Sequence, residues 1–477
     1  MTELIYVLLI ICVVLSYLSM GVYYLWISLI AFFPKIQKHK DIPYREGMDM
    51  HFFVVVPCLN EEGVIVDAVR SILKANMKNM RVIVVDDDSQ DNTVANLMHA
   101  FQGSILLVDV GGSPSWPDIC MRMNCSGNKG KSVILLRRRR PNAQLGKGKS
   151  LTYAYGFINE IIKHEGLKPS KCIMGVIDAD TYVSRRVFER AAVILYTERD
   201  VAIVQARIRI GTFTRDHFLP LFQDLEFFVY INNMQNVREY TGTVSAAGNG
   251  QFNRFSAIDP ERPWTDCLLE DYDFSLRMLL KGWRTRLLQE DRVYQQGVLT
   301  YKRFVRQRSR WCQGGIQCLP YLKYVRHSRY ISTYGKIEII FFMMLPFITL
   351  VSVFSQIISW FVIVYYYVTD QSIIFSLFAP YPIWELMAVL VIITMFVYVP
   401  GVAYGLLYRS DTKENAFVCI LAGFFQPIYN LMQIPAVMMA FWRQITRQKG
   451  WIKTQHFDES KRHNYDDYVV SGNEAGP

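Results

Sequence analysis

The chain has 477 residues, with 52 lysines and arginines against 42 aspartates and glutamates, and its formal net charge at pH 7 is +10. Hydrophobic residues make up 51% of the chain. This composition excludes an intrinsically disordered protein, because disordered chains contain too few apolar residues to build a core. It also excludes a purely soluble protein, since many apolar residues fall in long continuous runs.

Four apolar runs lie towards the two ends of the chain, each long enough to cross about 30 Å of hydrocarbon. They occupy residues 4–33, 337–368, 383–408 and 416–442. The first run is too long for the apolar region of a signal peptide and predicts a retained anchor. Residues 34–336 have an ordinary globular composition and are numerous enough for one large domain.

The charges around the first apolar run predict its orientation. The segment "KIQKHK" (residues 35–40) follows the run, whereas Glu3 is the one charged side chain before it. Lysines and arginines collect on the cytoplasmic side of membrane helices, so we expect the central domain in the cytosol. Nine cysteines without regular pairing agree with a reducing compartment. The predicted location is the plasma membrane, with several spans.

The central segment begins with an alternation of strand and helix signals. "HFFVVVP" (51–57) predicts a buried strand, residues 62–74 have helical spacing, and "MRVIVVDDDS" (80–89) is a second strand that ends in acids. Further strands are predicted at 104–110, 132–138 and 172–180, with a helix at 149–164. This order predicts an α/β domain with a parallel sheet, whose ligands bind beyond the carboxyl ends of the strands.

Acidic clusters fall at the predicted ends of strands and after a glycine-rich stretch. They occupy residues 84–93, 176–180 and 268–274. A single Asp-x-Asp pair is weak evidence, because acids commonly cap helices and close turns. Asp178 and Asp180 could nevertheless place two oxygen ligands on one Mg²⁺ or Mn²⁺ ion, which would neutralise a diphosphate leaving group.

Two basic segments have competing interpretations. "QLGKGKSLTYAYG" (144–156) opens a predicted helix with glycines and lysines and favours anion binding, but it lacks the spacing of a kinase-type phosphate loop. "RRRR" (137–140) favours a solvated loop or a lipid-facing surface, since no nucleic-acid-binding signature accompanies it. We therefore expect no nucleic-acid partner. A serine hydrolase is also disfavoured, because the chain contains no Gly-x-Ser-x-Gly turn.

Several of these motifs, in this order, resemble the processive, membrane-embedded family 2 glycosyltransferases, which include the cellulose, chitin, hyaluronan and poly-N-acetylglucosamine synthases. The motifs are "PCLNEE" (57–62), "VVDDDSQDNT" (84–93), "GKGKSL" (146–151), "DAD" (178–180), "LLED" (268–271) and "QRSRW" (307–311). The resemblance implies a cytosolic GT-A domain, the nucleotide-diphospho-sugar transferase fold, inserted between N-terminal and C-terminal transmembrane helices.

The resemblance also implies roles for individual residues. For the donor it implies contacts from Cys58, Glu61, Asp86, Asp87, Lys147, Asp178 and Arg310. For Mg²⁺ or Mn²⁺ it implies Asp178 and Asp180, and for catalysis Asp271 with Glu270. For the acceptor it implies Gln307, Trp311, Gly248 and Asn249. As a possible cover for the nucleotide it implies Trp451, Lys453 and Thr454.

The chemistry of these residue types agrees with the implied roles. A general base needs a carboxylate within hydrogen-bond reach of the acceptor hydroxyl, which is the role implied for Asp271. Arginine makes forked contacts with phosphate, and an indole ring offers an apolar face for a sugar, as implied for Arg310 and Trp311. We expect Arg306 and Arg308 to face phosphate or lipid headgroups.

Two features of the chain depart from the family pattern. Asp88 stands where many relatives have glycine. The segment "GNGQFNRF" (248–255) differs from that of the amino-sugar synthases and favours glucose as the transferred sugar.

The basic residues after the last apolar run conflict with the orientation predicted for a chain in which every apolar run spans the membrane. If all of the C-terminal runs span, the basic tail would lie outside, against the positive-inside rule. Residues 416–442 contain two prolines and several amides, which predict a broken or re-entrant segment that returns the tail to the cytosol.

The expected organisation has five parts: an anchor (1–43), a GT-A domain (44–300), interfacial helices (301–336), a transmembrane channel region (337–443) and a cytosolic tail (444–477). The expected function is inverting transfer from a UDP-sugar, preferably UDP-glucose, to a growing polysaccharide that is exported across the lipid bilayer. The alternatives are single addition to a lipid-linked acceptor, a UDP-GlcNAc-using synthase, and a non-catalytic membrane scaffold. Linkage, partner subunits and oligomeric state are left open by the sequence.

Overall fold

The structure is a computed structural model. It describes residues 43–109, 133–211, 217–372, 382–412 and 414–448, together with the isolated positions Ile11 and Val14. The rest of the predicted N-terminal anchor lies outside the described residues. So do Trp451, Lys453 and Thr454, the residues predicted to cover the nucleotide.

An eight-stranded sheet forms the centre of the α/β domain, with the strand order β3-β4-β2-β1-β5-β7-β6-β8. The strands are β1 (His51–Cys58), β2 (Met80–Asp86), β3 (Ile105–Asp109), β4 (Val133–Arg137), β5 (Cys172–Val176), β6 (Val201–Ile210), β7 (Gln251–Arg254) and β8 (Arg284–Gln295). The α/β class and the strands expected from the apolar runs are confirmed.

The expectation of a purely parallel sheet is wrong at β7, which runs antiparallel to both β5 and β6. The chain enters β7 through Gly248 and Gly250, whose φ angles are +70° and +64°. Side-chain-bearing residues rarely adopt this left-handed conformation, and it lets the chain reverse direction within a few residues. The glycine-rich stretch therefore makes the sheet mixed.

The sheet is buried on both faces. Along β1, Phe52, Val54 and Val56 belong to one hydrophobic cluster, while Phe53 and Val55 belong to another on the opposite face. Successive side chains of a strand point to opposite faces, so an unbroken apolar run places core residues on both. This is why the strands read as continuous apolar runs in the sequence.

Helices cover both faces of this sheet. In chain order they are α1 (Ile65–Lys74), α2 (Thr93–Ala100), α3 (Lys147–His164), α4 (Arg185–Thr197), α5 (Phe218–Glu226), α6 (Asn233–Thr241) and α7 (Glu270–Leu280). A π-helical segment, Phe227–Asn232, joins α5 to α6. The two helices expected at 62–74 and 149–164 are confirmed, with starts two or three residues away.

The C-terminal part of the described chain is helical: α8 (Tyr301–Gln317), α9 (Tyr321–His327), α10 (Thr333–Thr369), α11 (Ile383–Thr412), α12 (Ala416–Phe424), α13 (Gln426–Leu431) and α14 (Ile434–Ile445). Within the described residues, α10 and α11 are long and apolar enough to cross a membrane. The segment Ala416–Phe424 and the helix that follows it would make a third span if counted together, although they are bent by 47°.

The predicted break within residues 416–442 is confirmed. Pro427 and Pro435 each occupy the first turn of a short helix, α13 and α14 respectively. Proline has no backbone N–H to donate, so it fits a first turn but interrupts a continuous helix. The two prolines therefore divide the last apolar run into separate helices.

Close backbone contacts hold α11 against α12. A Cβ atom at Gly401 would lie 2.1 Å from the carbonyl oxygen of Gly423, and a Cβ atom at Gly405 would lie 2.2 Å from that of Cys419. Small residues permit this approach between apolar helices, where van der Waals packing drives association. The two helices can therefore pack this closely only with glycine at these positions.

We predict that Gly401→Ala destabilises the protein by about 1–3 kcal/mol, because the added methyl group would push two helix backbones apart. Thermal unfolding of the purified protein in detergent would measure the change. Gly315→Ala is the matched control, since a Cβ atom at that helical position meets nothing within 4 Å. Equal melting temperatures for the two variants would contradict the prediction.

Candidate active site

A cavity of about 870 Å³ lies beyond the carboxyl ends of the central strands and continues between the C-terminal helices. It gathers most of the residues predicted for the site: Cys58, Glu61, Asp87, Lys147, Asp178, Asp180, Gly248, Glu270, Asp271, Gln307, Arg310 and Trp311. Asp86 and Asn249 are not among the residues that line this cavity. Segments separated by more than two hundred residues in sequence thus meet in one place.

The first acidic cluster is neutralised by the four consecutive arginines. β2 and β4 are neighbours, so their carboxyl ends place the two charged segments side by side. Arg137 lies 3.4 Å from Asp86, and Arg139 lies 3.5 Å from Asp88. The interpretation of residues 137–140 as a solvated loop is therefore wrong for Arg138, which is buried, whereas the side chain of Arg140 is 67% exposed.

Arg138 forms the most buried of these pairs. It donates to Asp87 Oδ1 at 2.6 Å and to Ser150 Oγ at 2.8 Å. Burial raises the pKa of Asp87, while the Arg138 guanidinium opposes that rise. Asp87 is thus held at the rim of the cavity, whereas Asp86 is fully buried and accepts a hydrogen bond from the Ser89 N–H.

Lys147, at the start of α3, connects two loops of the site. Its Nζ lies 2.5 Å from Asp178 Oδ1 and donates to the carbonyl oxygen of Gly248 at 2.7 Å. Burial acts to lower the pKa of Lys147, but the charges of Asp178, Glu270 and Asp271 outweigh it and raise the pKa. The lysine is therefore a fixed positive charge among carboxylates.

Asn249 braces the Asp178 loop from behind the cavity. Its Oδ1 accepts the Asp178 N–H at 3.2 Å, and its Nδ2 donates to Thr181 Oγ1 at 2.8 Å and to Gln295 Oε1 at 2.7 Å. The side chain is almost fully buried. The structure thus places Asn249 beside the donor loop rather than on the cavity surface where an acceptor contact was expected.

Asp271 and Glu270 open α7 next to this lysine. Burial, together with the adjacent Glu270 carboxylate, raises the pKa of Asp271 to about 7. Burial also raises the pKa of Glu270. A Cβ atom at Gly248 would lie 2.9 Å from Asp271 Oδ2, so this glycine leaves the space that the carboxylate occupies. Asp271 therefore changes its charge close to neutral pH.

The carboxylates of Asp178 and Asp180 fit a divalent cation that takes further ligands from a substrate. Asp178 is partly exposed to the cavity, and Asp180 Oδ2 accepts the Gln296 N–H at 3.0 Å. Among the described residues there is no group of three or more His, Cys, Asp or Glu side chains that could hold a metal ion. Mg²⁺ is commonly bound by one or two carboxylates plus substrate phosphates, which agrees with this donor set.

Helix α8 supplies the opposite wall with Gln307, Arg310 and Trp311. The buried Arg310 Nε has no hydrogen-bond partner within the described part of the chain. Arg306 is exposed, but Arg308 is buried and pairs with Glu226. Arg308 also lines the cavity, so the expected lipid-facing position is wrong for this residue, whereas the expected contact with phosphate stays a prediction.

Some residues of the site were not singled out from the sequence. Glu226, Arg238 and Phe227 line the cavity, and Arg138 holds one of its acids. Adjacent strands that end in opposite charges would have indicated the pairing of Arg138 with Asp87. For Glu226 and Phe227 the sequence carries a weak signal at most, because the π-helical segment that turns them inward has no simple sequence pattern.

The chain matches two known sequence families. Residues 53–109 match the family described as Glycosyl transferase family 2, and residues 173–408 match the one described as Glycosyl transferase family group 2. Together the two matches cover more than half of the chain and include the acidic motifs of β2, β5 and α7.

Curated relatives include the beta-monoglucosyldiacylglycerol synthase of Trichormus variabilis, 27% identical over 274 residues, which cover 57% of this chain and 50% of the relative. Glucomannan 4-beta-mannosyltransferase 1 of Oryza sativa subsp. japonica is 24% identical over 296 residues, covering 60% and 50%. The chain thus spans about half the length of these relatives.

Among solved structures, the mannosyltransferase PcManGT from Pyrobaculum calidifontis, in complex with GDP-Man and Mn²⁺, superposes with a TM-score of 0.54 at 14% identity. The superposition covers 93% of this chain and 99% of the other. At this identity the likeness shows a shared fold, a GT-A-like α/β fold with a mixed sheet. The two family matches identify the chain as a family 2 glycosyltransferase, a sugar transferase.

Proposed function

We propose that this enzyme transfers a sugar from a nucleoside diphosphate donor to an acceptor carried by a membrane lipid, with inversion at the anomeric carbon. One observation carries the proposal: a single cavity contains Asp271 and also runs between α10, α11 and α13. An acceptor in the bilayer could reach the base through it without leaving the membrane. The name of one relative, a beta-monoglucosyldiacylglycerol synthase, agrees with such an acceptor.

The membrane end of the cavity has the chemistry of an acyl-chain site. Along α10 its lining extends from Phe342 to Gln356, about 21 Å at about 1.5 Å per residue. The lining side chains there and on α13 and α14 are mainly aliphatic, for example Ile348, Val353 and Leu431. Aliphatic walls suit hydrocarbon, whereas sugars need hydrogen-bonding groups and aromatic faces.

In the proposed reaction Asp271 acts as the general base. Its ionised carboxylate accepts the proton of the acceptor hydroxyl while that oxygen attacks the anomeric carbon and the bond to the diphosphate breaks. One displacement inverts the configuration. Lys147 and Arg310 would balance the negative charge of the departing diphosphate, since both present cationic groups to the cavity.

Donor binding is proposed to involve the residues at the strand ends. Cys58, Glu61 and Asp87 would contact the nucleotide, with Asp86 supporting them from the core. A divalent cation, Mg²⁺ or Mn²⁺, held by Asp178 and Asp180, would supply Lewis-acid stabilisation of the diphosphate. UDP-glucose remains our preferred donor, because residues 248–255 depart from the pattern of amino-sugar synthases.

A processive polysaccharide synthase is the second candidate. It is favoured by Gln307 and Trp311, which line the cavity on α8, and by Tyr398 further along its wall. Aromatic rings can support consecutive sugars of a growing glycan. Both candidates place the enzyme in the plasma membrane through α10 and α11, with the α/β domain in the cytosol.

Product analysis should separate the two candidates. We expect purified full-length protein, incubated with radiolabelled UDP-glucose, Mn²⁺ and diacylglycerol vesicles, to place label in the organic phase as a single glycolipid. The measurement is phase partition followed by thin-layer chromatography and a sizing gel. Label recovered as a polymer in the aqueous phase would support the processive synthase instead, and absence of UDP release with a panel of nucleotide sugars would refute both.

We predict that Asp271→Asn lowers the rate of transfer by about 10²–10⁴-fold, because the amide cannot accept the proton. UDP release measures the rate, and Asp266→Asn, an exposed acid nearby, is the control. Nucleotide affinity should be unchanged. Full activity in Asp271→Asn would show that another group is the base.

The same variant should be more stable than the wild-type protein at pH 8. The pKa of Asp271 is raised on folding, so its contribution to stability is present at low pH and is lost as the pH rises through about 7. Asparagine has no charge to bury. The difference should develop between the ordinary pKa of 3.8 and about 7, so a higher melting temperature at pH 8, with little difference below about pH 4, is the expected result.

We also predict that kcat/KM of the wild-type enzyme rises between pH 6 and pH 8, with a midpoint near 7, because the base must be ionised. Initial rates at subsaturating acceptor measure this profile. The melting temperature at each pH serves as the control for unfolding. A profile that is flat or falls across this range would contradict the assignment of Asp271.

A further inference from the structure

Two buried clusters of the same chemical type connect α5 to the C-terminal helices. Each contains an arginine, a carboxylate of α5 and a tyrosine hydroxyl from a C-terminal helix. The Glu226 cluster consists of Glu226, Arg308 and Tyr429. The Asp224 cluster consists of Asp224, Arg209 and Tyr408. The two carboxylates are two residues apart on one helix, so the clusters form a natural comparison.

The Glu226 cluster is in contact with Trp311, the residue predicted to contact the acceptor sugar. Tyr429 donates its hydroxyl hydrogen to Glu226 Oε2 at 2.5 Å, and Arg308 pairs with the same oxygen. The guanidinium carbon of Arg308 lies 4.2 Å from the centre of the Trp311 ring. Phe227 approaches that ring edge-on at 6.2 Å. The indole is therefore fixed by a buried cation whose own position is set by Glu226.

The Asp224 cluster has the same three groups but a different neighbour, and its arginine also pairs with Asp411 at 2.5 Å. Arg209 donates to Asp224 Oδ2 at 2.6 Å, and Tyr408 donates to that oxygen at the same distance. The guanidinium of Arg209 lies over the rings of Phe228 and Tyr408. None of the three residues of the Asp224 cluster lines the large cavity in the described structure. This cluster therefore joins α5 to α11 without contacting Trp311.

We propose that the Glu226 cluster positions the Trp311 ring for the acceptor sugar, and that α13, through Tyr429, sets the place of this ring. Arg308, Glu226 and Tyr429 are positioning residues, because they act on the acceptor through Trp311. The inference concerns the acceptor side of the proposed transferase and rests on that function. The inference also assigns a role to the bend after α12, because the bend directs Tyr429 towards α5.

The chemistry of the cluster indicates which substitutions should matter. Lysine in place of Arg308 keeps a positive charge for Glu226 but loses the planar group that lies over the indole. Phenylalanine in place of Tyr429 keeps the ring packing against Phe304 and removes the hydrogen bond to Glu226. Either change should loosen the indole, and Tyr429→Phe should do so without altering the cavity lining, to which Tyr429 does not belong.

The experiment compares matched variants of the two clusters in the full-length protein. We expect Arg308→Lys to raise the acceptor KM by about tenfold and Tyr429→Phe by about threefold, with the Kd for UDP unchanged. Arg209→Lys and Tyr408→Phe should lower the melting temperature by similar amounts while the acceptor KM stays within twofold of wild type. If the Glu226 cluster only stabilised the fold, the acceptor KM would change by similar factors in all four variants.

A second measurement does not depend on the acceptor. The protein contains nine tryptophans, so 5-fluorotryptophan labelling gives signals in which Trp311 is assigned by its loss in Trp311→Phe. We expect the Trp311 fluorine signal to shift or broaden in Tyr429→Phe and to stay in place in Tyr408→Phe.

The two measurements distinguish failure of this inference from failure of the proposed function. Wild-type protein that releases no UDP would overturn the transferase proposal, whatever the fluorine spectrum shows. A Trp311 signal that is the same in Tyr429→Phe and wild type, or that shifts equally in Tyr408→Phe, would overturn the positioning role. So would equal changes of acceptor KM in the two clusters.

Discussion

The site depends on one partly buried cation, Lys147, placed among carboxylates that would otherwise repel one another. Its ammonium group contacts Asp178 and the Gly248 carbonyl, and it also acts on the charges of Glu270 and Asp271. Burying several carboxylates together is costly unless an opposite charge compensates them. Lys147 therefore holds the loop after β5 against the glycine-rich loop, and its charge partly opposes the rise in the pKa of Asp271 that burial and Glu270 cause.

The same rule applies to residues 137–140. Four consecutive arginines look like an external binding patch in the sequence, but in the fold they neutralise Asp86, Asp87 and Asp88 at the end of the adjacent strand. Much of the apparent basic surface is thus internal compensation. Arg310 lines the cavity and its Nε has no hydrogen-bond partner within the described residues, so it is a candidate for contact with a phosphate.

Two buried polar clusters, the Glu226 and Asp224 clusters, lie where the α/β domain meets the C-terminal helices. Buried ion pairs add little net stability, because desolvation offsets their attraction, but they fix orientation. The Glu226 and Asp224 clusters therefore define how α11 and α13 sit against α5. The cavity depends on this orientation, since one wall comes from the α/β domain and the other from apolar helices.

The sequence by itself determined the α/β class, the strands β1 to β5, the two long apolar helices and a set of residues of which most line one cavity. These follow from local properties: apolar runs predict buried strands and spans, prolines predict the break near residue 427, and acids mark strand ends. The family resemblance added the expected chemistry of Asp271, Asp178 and Trp311. Each of these signals lies within a few neighbouring residues.

Only the tertiary structure decided which charges meet. The antiparallel β7, the pairing of Arg138 with Asp87, the enclosure of Arg308 and the placement of Asn249 behind the Asp178 loop all depend on contacts between distant segments. Local spacing carries no information about such contacts, because strand order and helix packing are set by the whole core. The amino-acid sequence supplied the chemical groups of the site, and the fold decided which of them line the cavity and which hold the others in place.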